Sequence, residues 1–509
     1  MKTIAQRIED LIVYAEKYLF LSIEDRAFAR NQLLELFQVE PDLDYVGKEI
    51  TPVEKITEPL IEYAINNGIT EEGTEQRFET KILGLVTPSP SSVAQKFITM
   101  HYKQGSEKAT KYLYEMSINN RYIRMNDIKR NIFWSVKGKR GPIGITINLS
   151  KPEKDPKQVL AERTATTKKY PKCMLCMENL GFCGTATYPA RQTLRAIPLK
   201  LFGEPWHMQY SPYVYYDQHC IVFNDKHVPM KISENTIARL IEFVAQFPKY
   251  FLGSNADLPI VGGSILSHDH YQGGSKVLPM LKAPFRKIFT RHENIEIGIK
   301  DWYNSVITIR GDANLRYRMV KKASTIIDAW RSYSDEEADI MCETDGMRHN
   351  TVTPIAYRVG KKYYIDLILR NNRTDEKHPF GIFHPTEDMH NIKKEAIGLI
   401  EAMGLFILPG RLKKELQELM IELQKEKPNL ERIAKDPVLS KHFDMLVQIM
   451  ADKGTGLSEE DARQAVIDKV SETCFKILEC TAVFKNTKKG RQDFLRFMKV
   501  VVERTERVS

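Results

Sequence analysis

No run of about eighteen apolar residues, the length a membrane-spanning helix needs, occurs in this chain. The nearest approach, "EAIGLIEAMGLFILPG" at 395–410, is interrupted by charge and closes on Pro-Gly. The opening stretch does not read as a secretory leader either: "MKTIAQRIEDLIVYAEKYLF" alternates charged and apolar residues at helical spacing instead of placing basic residues before an apolar block. Cysteine is scarce, seven in 509 residues, and its odd number and irregular spacing exclude a disulfide framework. Those features fit a soluble protein of the reducing cytoplasm. Long basic blocks are absent too, and Lys plus Arg exceed Asp plus Glu only by 75 − 66 = 9. So small a surplus, spread through the chain, suits anionic small molecules at least as well as nucleic acid, for which clustering is expected. Internal repeats and low-complexity tracts are not found.

What is present is ordinary globular material, 42% hydrophobic and 28% charged. The length predicts two or three folding units, or one enlarged domain with extensions. Residues 1 to about 128 read as helical: "IAQRIEDLIVYAEKYLFL" and "RAFARNQLLELF" carry apolar residues at three-and-four spacing, and "SPSSVAQKF" (89–97) opens with a capping serine. From about 131 the texture changes. "IFWSVKGKRGPIGITINLS" predicts a hairpin around Gly141-Pro142, and the aromatic, β-branched "YVYYDQHCIVFN" (213–224) predicts a strand. "SENTIARLIEFVAQFP" (233–248) predicts a serine-capped amphipathic helix. "HNTVTPIAYRVGKKYYIDLILR" (349–370) predicts two strands joined at Gly360, and from about 386 helices return, beginning with "DMHNIKKEAIGLIEAMG".

Chemistry concentrates in "GGSILSHDHYQGG", residues 262–274. In an extended strand His268, His270 and Gln272 share one face along roughly 13 Å, at about 3.3 Å per residue. Neutral imidazole is a competent nucleophile at phosphorus and a tolerable leaving group afterwards. Glycines allow close backbone approach to phosphate oxygens, and Ser264 and Ser267 add hydroxyl donors. Against this stand two plainer readings: histidines in a turn that bind nothing, and a metal-only site.

A second constellation is "KCMLCMENLGFC", 172–183. Cys173 and Cys176 have the spacing that lets two thiolates reach one zinc ion from a tight turn. A redox pair is the rival, but the bulky Met-Leu insert is unlike such pairs, and chance is the third reading. Zinc is preferred, with His227 and His268 as the further ligands and His219 and Cys183 in reserve. "KGKRGP" (137–142) reads as a solvated hairpin tip or a basic turn near a nucleotide. Arg370, Arg373, His378 and His384 read as a polar loop or as contacts to a sugar phosphate.

"DLPIVGGSILSHDHYQGG" (257–274) resembles the signature of the second, Gram-positive-type class of galactose-1-phosphate uridylyltransferases, members of the histidine-triad superfamily. "FGEPWHMQYSPYVYYDQHCIVFNDKHVPM" (202–230) extends the likeness, which covers most of the chain. The resemblance implies ping-pong transfer of UMP from UDP-glucose to galactose 1-phosphate through a uridylyl-histidine. It makes His270 the nucleophile, Gln272 a donor to a phosphate oxygen, and the backbone of His268 the group that orients His270. It implies structural zinc on Cys173, Cys176, His227 and His268. Asn255 and Ser264 match phosphate-contacting positions of the first class, with Gly262, Gly263 and Ser267 beside them, although this chain has one more residue between Ser264 and His268. The iron site of the first class has no counterpart here, so iron is not expected.

The implied fold is α+β: two histidine-triad-like halves with antiparallel sheet, extended by helical N- and C-terminal regions. The expected divisions are 1–128 helical, 129–285 nucleotide-binding and catalytic, 286–400 the second half, and 401–509 helical. Expected partners are UDP-glucose, UDP-galactose and hexose 1-phosphates, with a homodimer as the assembly and neither nucleic acid nor membrane. Two alternatives remain: another nucleotidyl transferase or phosphorylase of the superfamily, and a non-catalytic nucleotide-binding protein.

Overall fold

The first helix shows how the sequence starts its elements. Thr3 accepts from the backbone N–H of Gln6 and the Gln6 side chain accepts from the N–H of Thr3, a reciprocal cap at the head of Ile4–Tyr14. Its apolar stripe, Ile8, Leu11 and Ile12, is fully buried against Leu33, Phe37, Ile56, Leu60, Ile82 and Leu83 from the next helices. The computed structural model describes residues 2–150, 170–262, 265–291 and 294–507, and they divide into two compact units.

The first unit is Met1–Lys129 with Lys154–Val228. Helices Arg26–Phe37, Glu54–Asn66, Glu75–Val86, Pro90–Gln104 and Ser106–Asn119 follow the opening one. Ser89 caps the fourth of these by accepting from the N–H of Ser92, with Pro90 in the first turn. An antiparallel meander of Ile197–Leu201, Glu204–Tyr210 and Cys220–Asn224 follows. Trp206, Met208 and Tyr210, at alternate positions, supply its buried face.

The strand expected over 213–224 is confined to Cys220–Asn224. Val214 and Gln218 adopt left-handed backbone, φ 39° and 51°, which no strand tolerates. The aromatic residues instead stack: Tyr213 on Tyr215 with ring centroids 5.9 Å apart, and Tyr215 on His219 at 5.4 Å. Composition suited to a pleated surface here serves a folded turn.

The second unit is Arg130–Glu153 with Pro229–Ser509. The hairpin of Ile132–Gly138 and Gly141–Asn148 forms as expected, and Leu405–Pro409 joins it in parallel. Within this unit seven described strands lie side by side, all antiparallel, in the order His270–Gly274, Phe251–Gly253, Asn350–Val359, Lys362–Asn371, Val306–Asp312, Glu296–Lys300, Phe285–Thr290. Gly360, at φ 59°, makes the turn between the two longest strands. Helix Glu234–Gln246 starts where the serine predicted, the N–H of Ser233 donating to Thr236 Oγ1. Helices and antiparallel sheet in separate runs make the fold α+β, as expected.

The helix expected over 388–404 is absent from most of that stretch. A single turn at Glu387–Met389 and a short helix Leu399–Ala402 replace it, and the strand Leu405–Pro409 follows. Two local commitments forbid a continuous helix. Glu401 turns its carboxylate back to the N–H of Gly398 while pairing with Lys393 at 2.7 Å. Gly404, at φ 92°, packs so close to Trp302 that a Cβ would lie 2.8 Å from the indole.

Candidate functional site

The strand His270–Gly274 begins two residues later than the sequence suggested. His268 lies before it because its carbonyl oxygen, instead of joining the ladder, accepts from Nδ1 of His270 at 2.8 Å. His270 and Gln272 therefore share a strand face, and the second histidine reaches back to the first through the main chain. Alternate residues serve the opposite side: Arg239 of helix Glu234–Gln246 stands 3.8 Å from the Asp269 carboxylate and donates to the Tyr271 hydroxyl at 3.4 Å. Gly253 faces Gln272 across the ladder and brings the neighbouring backbone in without a side chain.

His270 is 3% exposed. Burial pushes its imidazole down to about 4, which the bond to the His268 carbonyl offsets only in part. At neutral pH the ring is uncharged, with the proton on Nδ1 and the lone pair on Nε2, as its hydrogen bond assigns them.

The loop leading into this strand is clamped at several points. Asp257 accepts from the backbone N–H of Ile232 at 3.0 Å, from Thr351 Oγ1 at 2.5 Å and from Arg348 at 3.2 Å. Asn372 donates to the carbonyl of Pro259, and Ile260 follows at φ 74°, an uncommon conformation for a β-branched residue. Gly262, at φ 103°, has no room for a Cβ, which would fall 2.6 Å from the Ile397 carbonyl oxygen. Its glycine thus answers a close approach of the chain's own backbone. Asn255 is buried and its Oδ1 accepts from the N–H of Leu399 at 3.0 Å, so its amide oxygen is committed to the fold. Ser267 is exposed, and Gly263 and Ser264 lie outside the described residues. The Asp257 clamp was not foreseen; a lone aspartate before Leu-Pro carries no pattern that announces it.

In the first unit, Cys173, Cys176 and His227 each bring a ligand atom within 4.8 Å of the others. The two Sγ atoms are 3.5 Å apart and Cys176 Sγ is 3.2 Å from His227 Nδ1. Two thiolates on a tetrahedral zinc with bonds of about 2.3 Å would stand roughly 3.8 Å apart, so the donors fit the ion. Asn179 fixes the turn by donating to the carbonyls of both Cys173 and Cys176 at 2.8 Å, and Tyr188 donates to Asn179 Oδ1. Burial first, then the contact with Cys173, pushes the Cys176 thiol up to about 12. A bound cation reverses that balance by displacing the thiol protons. The imidazole beside the thiols adds a third donor of the kind zinc takes. Of the reserves, Cys183 is exposed and His219 is stacked beneath Tyr215 and Tyr216, and neither joins the ligand group. Cys342, Cys474 and Cys480 are free and half-buried or buried.

The four polar residues considered for a sugar phosphate do not form one set. Arg370 is fully buried and donates to the Ile397 carbonyl and to Thr353, so it serves the interior of its own unit. Arg373 donates to the Asp339 carbonyl, His378 pairs with Asp375, and His384 bonds the Pro385 carbonyl. Arg140 of the basic turn is paired with Asp301.

Known proteins resemble this chain along most of its length. The family profile described as galactose-1-phosphate uridyl transferase, N-terminal domain, matches residues 29–229, and that of the C-terminal domain matches 242–439. The chain belongs to the galactose-1-phosphate uridylyltransferase family. It is 44% identical over 511 residues to the galactose-1-phosphate uridylyltransferase of Caldanaerobacter subterraneus subsp. tengcongensis, covering 98% of each chain. The enzymes of that name from Halalkalibacterium halodurans and Bacillus subtilis are 43% and 41% identical over 504 residues, with 97% of this chain covered. Among the described residues of this family member, no helix is long and apolar enough to cross a membrane.

Proposed function

We propose that this chain moves UMP from UDP-glucose to galactose 1-phosphate in two displacements on His270. The observation that carries the reading is the 2.8 Å contact of His270 Nδ1 with the His268 carbonyl, which leaves Nε2 as the nucleophilic lone pair. In the first step Nε2 bonds to the α-phosphorus of UDP-glucose, the bond from phosphorus to the bridging oxygen breaks, and glucose 1-phosphate departs with that electron pair. The charge placed on the imidazole is held by the Nδ1–H bond to the carbonyl. In the second step a phosphate oxygen of galactose 1-phosphate attacks the same phosphorus and expels neutral His270, giving UDP-galactose. Gln272 donates to a non-bridging oxygen as charge develops, and Asn255, with its Oδ1 engaged, donates from Nδ2. Gly262 and Ser267 contact the phosphates in this reading, and the family likeness assigns the same role to Gly263 and Ser264, which lie outside the described residues.

His268 is the fourth ligand in this reading, completing Cys173, Cys176 and His227; bound zinc supplies a structural cross-link and takes no part in the displacement. The family likeness and the donor chemistry support it. A cytoplasmic homodimer acting on small anionic sugars, without nucleic acid or membrane, accords with the free thiols and the dispersed charge.

Trapping tests the mechanism. Protein incubated with UDP-glucose labelled in uracil, without acceptor, should retain acid-labile, base-stable label that galactose 1-phosphate discharges as UDP-galactose. His270→Ala should retain none. UDP-glucose binding without label would overturn the covalent mechanism.

A further inference from the structure

The first unit contains two buried arginines in one short segment, and they treat their charge differently. Arg195 spends its guanidinium on four main-chain carbonyls: Nε on Pro88, Nη1 on Gln192 and Leu194, and Nη2 on Thr87, all at 2.7 to 2.9 Å. Arg191 is 9% exposed and reaches no carbonyl. Its Nη1 meets the Tyr122 hydroxyl at 3.4 Å, its Nη2 the Met174 thioether sulfur at 3.9 Å, and its guanidinium carbon stands 5.6 Å from the centre of the Tyr122 ring. Nε is buried with no partner among the described residues.

None of these neighbours carries a negative charge. A thioether is a weak acceptor, and desolvation raises the buried Tyr122 phenol above its ordinary range, so it stays neutral. No carboxylate forms an ion pair with Arg191 among the described residues; nearby Arg121 and Arg124, by contrast, pair with Glu79 and Glu54. A guanidinium cannot shed its proton to escape burial, and an isolated buried cation is strongly unfavourable. Among the described residues the fold therefore holds a planar cation in place without a counter-ion. That is the state expected of a residue whose counter-ion arrives with a ligand. The fork geometry of arginine matches a phosphate's paired oxygens, and the contacts to Tyr122 hold the guanidinium in position. Met174, in contact with it, and Tyr188, within its electrostatic reach, are only half-buried, so solvent lies close to the guanidinium.

We propose that Arg191 is a binding residue for a phosphate group of the substrates, either the nucleotide phosphates of the UDP-sugar or the phosphate of the hexose 1-phosphate. The choice of ligand rests on the transferase reading above. The guanidinium contributes two parallel N–H donors, and phosphate binding replaces the poor contacts to phenol and thioether.

Calorimetric titration of the full chain, wild type against Arg191→Met, tests this with UDP, galactose 1-phosphate, inorganic phosphate and, as the uncharged control, uridine. The expected result is a loss of about tenfold or more in affinity for the phosphate that uses the site, uridine binding unchanged, and a ligand-free melting temperature no lower than wild type. Loss confined to UDP assigns the nucleotide phosphates; loss confined to galactose 1-phosphate assigns the hexose phosphate. Equal anion affinities in both proteins, or anion binding absent from wild type, would overturn the proposal. So would a lower ligand-free melting temperature with parallel loss of uridine. Should Arg191→Met fail to fold, Arg191→Lys keeps the charge and removes the fork, and weakened phosphate binding with intact uridine binding is again required. Arg191-dependent anion binding without label on His270 leaves this proposal standing and removes the covalent mechanism. Label on His270 with anion binding indifferent to Arg191 does the reverse.

Discussion

The Nδ1 of His270 donates to the carbonyl oxygen of His268, two residues back along the same chain. The strand cannot begin at His268 while that carbonyl accepts from the imidazole, so the late start of the strand and the tautomer of His270 are one fact. Because the acceptor belongs to the backbone, replacing the His268 side chain leaves it in place. Replacing His270 removes the proposed nucleophile: His270→Ala should lower kcat by at least about a thousandfold while UDP-glucose still binds, as steady-state rates and calorimetry will report.

Metal content gives a separate check. The close Sγ and Nδ1 atoms of Cys173, Cys176 and His227 predict about one zinc per chain. Cys173→Ser should lose it, with a fall in melting temperature, in elemental analysis and a thermal melt run on the same sample. Full zinc occupancy in Cys173→Ser would remove that residue from the ligand set.

Gly262 is required by space and conformation together, with φ at 103° and the Ile397 carbonyl 2.6 Å from where a Cβ would stand. Gly262→Ala should therefore destabilise the second unit by about 1–3 kcal/mol. Denaturant unfolding measures it, and a change near zero would show that the segments around Ile397 and Gly262 separate easily.

A buried pair in the C-terminal helices sets an acid limit on stability. For Glu415, burial raises the pKa, but hydrogen bonds from Lys441 and His442 and the charge of Arg411 outweigh it and hold the carboxyl below its ordinary range. Burial lowers the His442 imidazole, and its bond to Glu415 offsets only part of that. In both cases the unfolded chain binds more protons than the folded one at pH values between the folded and unfolded pKa. Stability is thus complete above the ordinary histidine range, falls first as His442 resists protonation, and falls again as pH drops through the lowered Glu415 value. Glu415→Gln should flatten the lower, acid part of a plot of melting temperature against pH.

Much of this was legible in the sequence where one short segment carries both the residues and their geometry. Cys173 and Cys176 are three apart with Asn179 to fix their turn, and His270 and Gln272 alternate on one strand. The serine caps at 89 and 233 likewise act on the residues just after them. Where distant segments decide, the local pattern misled. The apolar period of 395–404 looks helical, yet Glu401 folds back on Gly398 and Trp302 presses on Gly404. The tyrosines at 213–216 have strand composition, yet two left-handed residues turn them into a stack. Asn255 resembles a phosphate contact, and half of its amide is held by Leu399, 144 residues on. Arg191 gave no signal at all, since only the folded chain reveals that its guanidinium has no carboxylate partner among the described residues.

The account's central claim is a covalent intermediate on His270, and intact-protein mass spectrometry addresses it most directly. Protein mixed with UDP-glucose in the absence of acceptor should gain the mass of one uridylyl group, fragmentation should place it on His270, and added galactose 1-phosphate should remove it. An unmodified mass under conditions where UDP-glucose is turned over, or a uridylyl group on any other residue, would contradict the account.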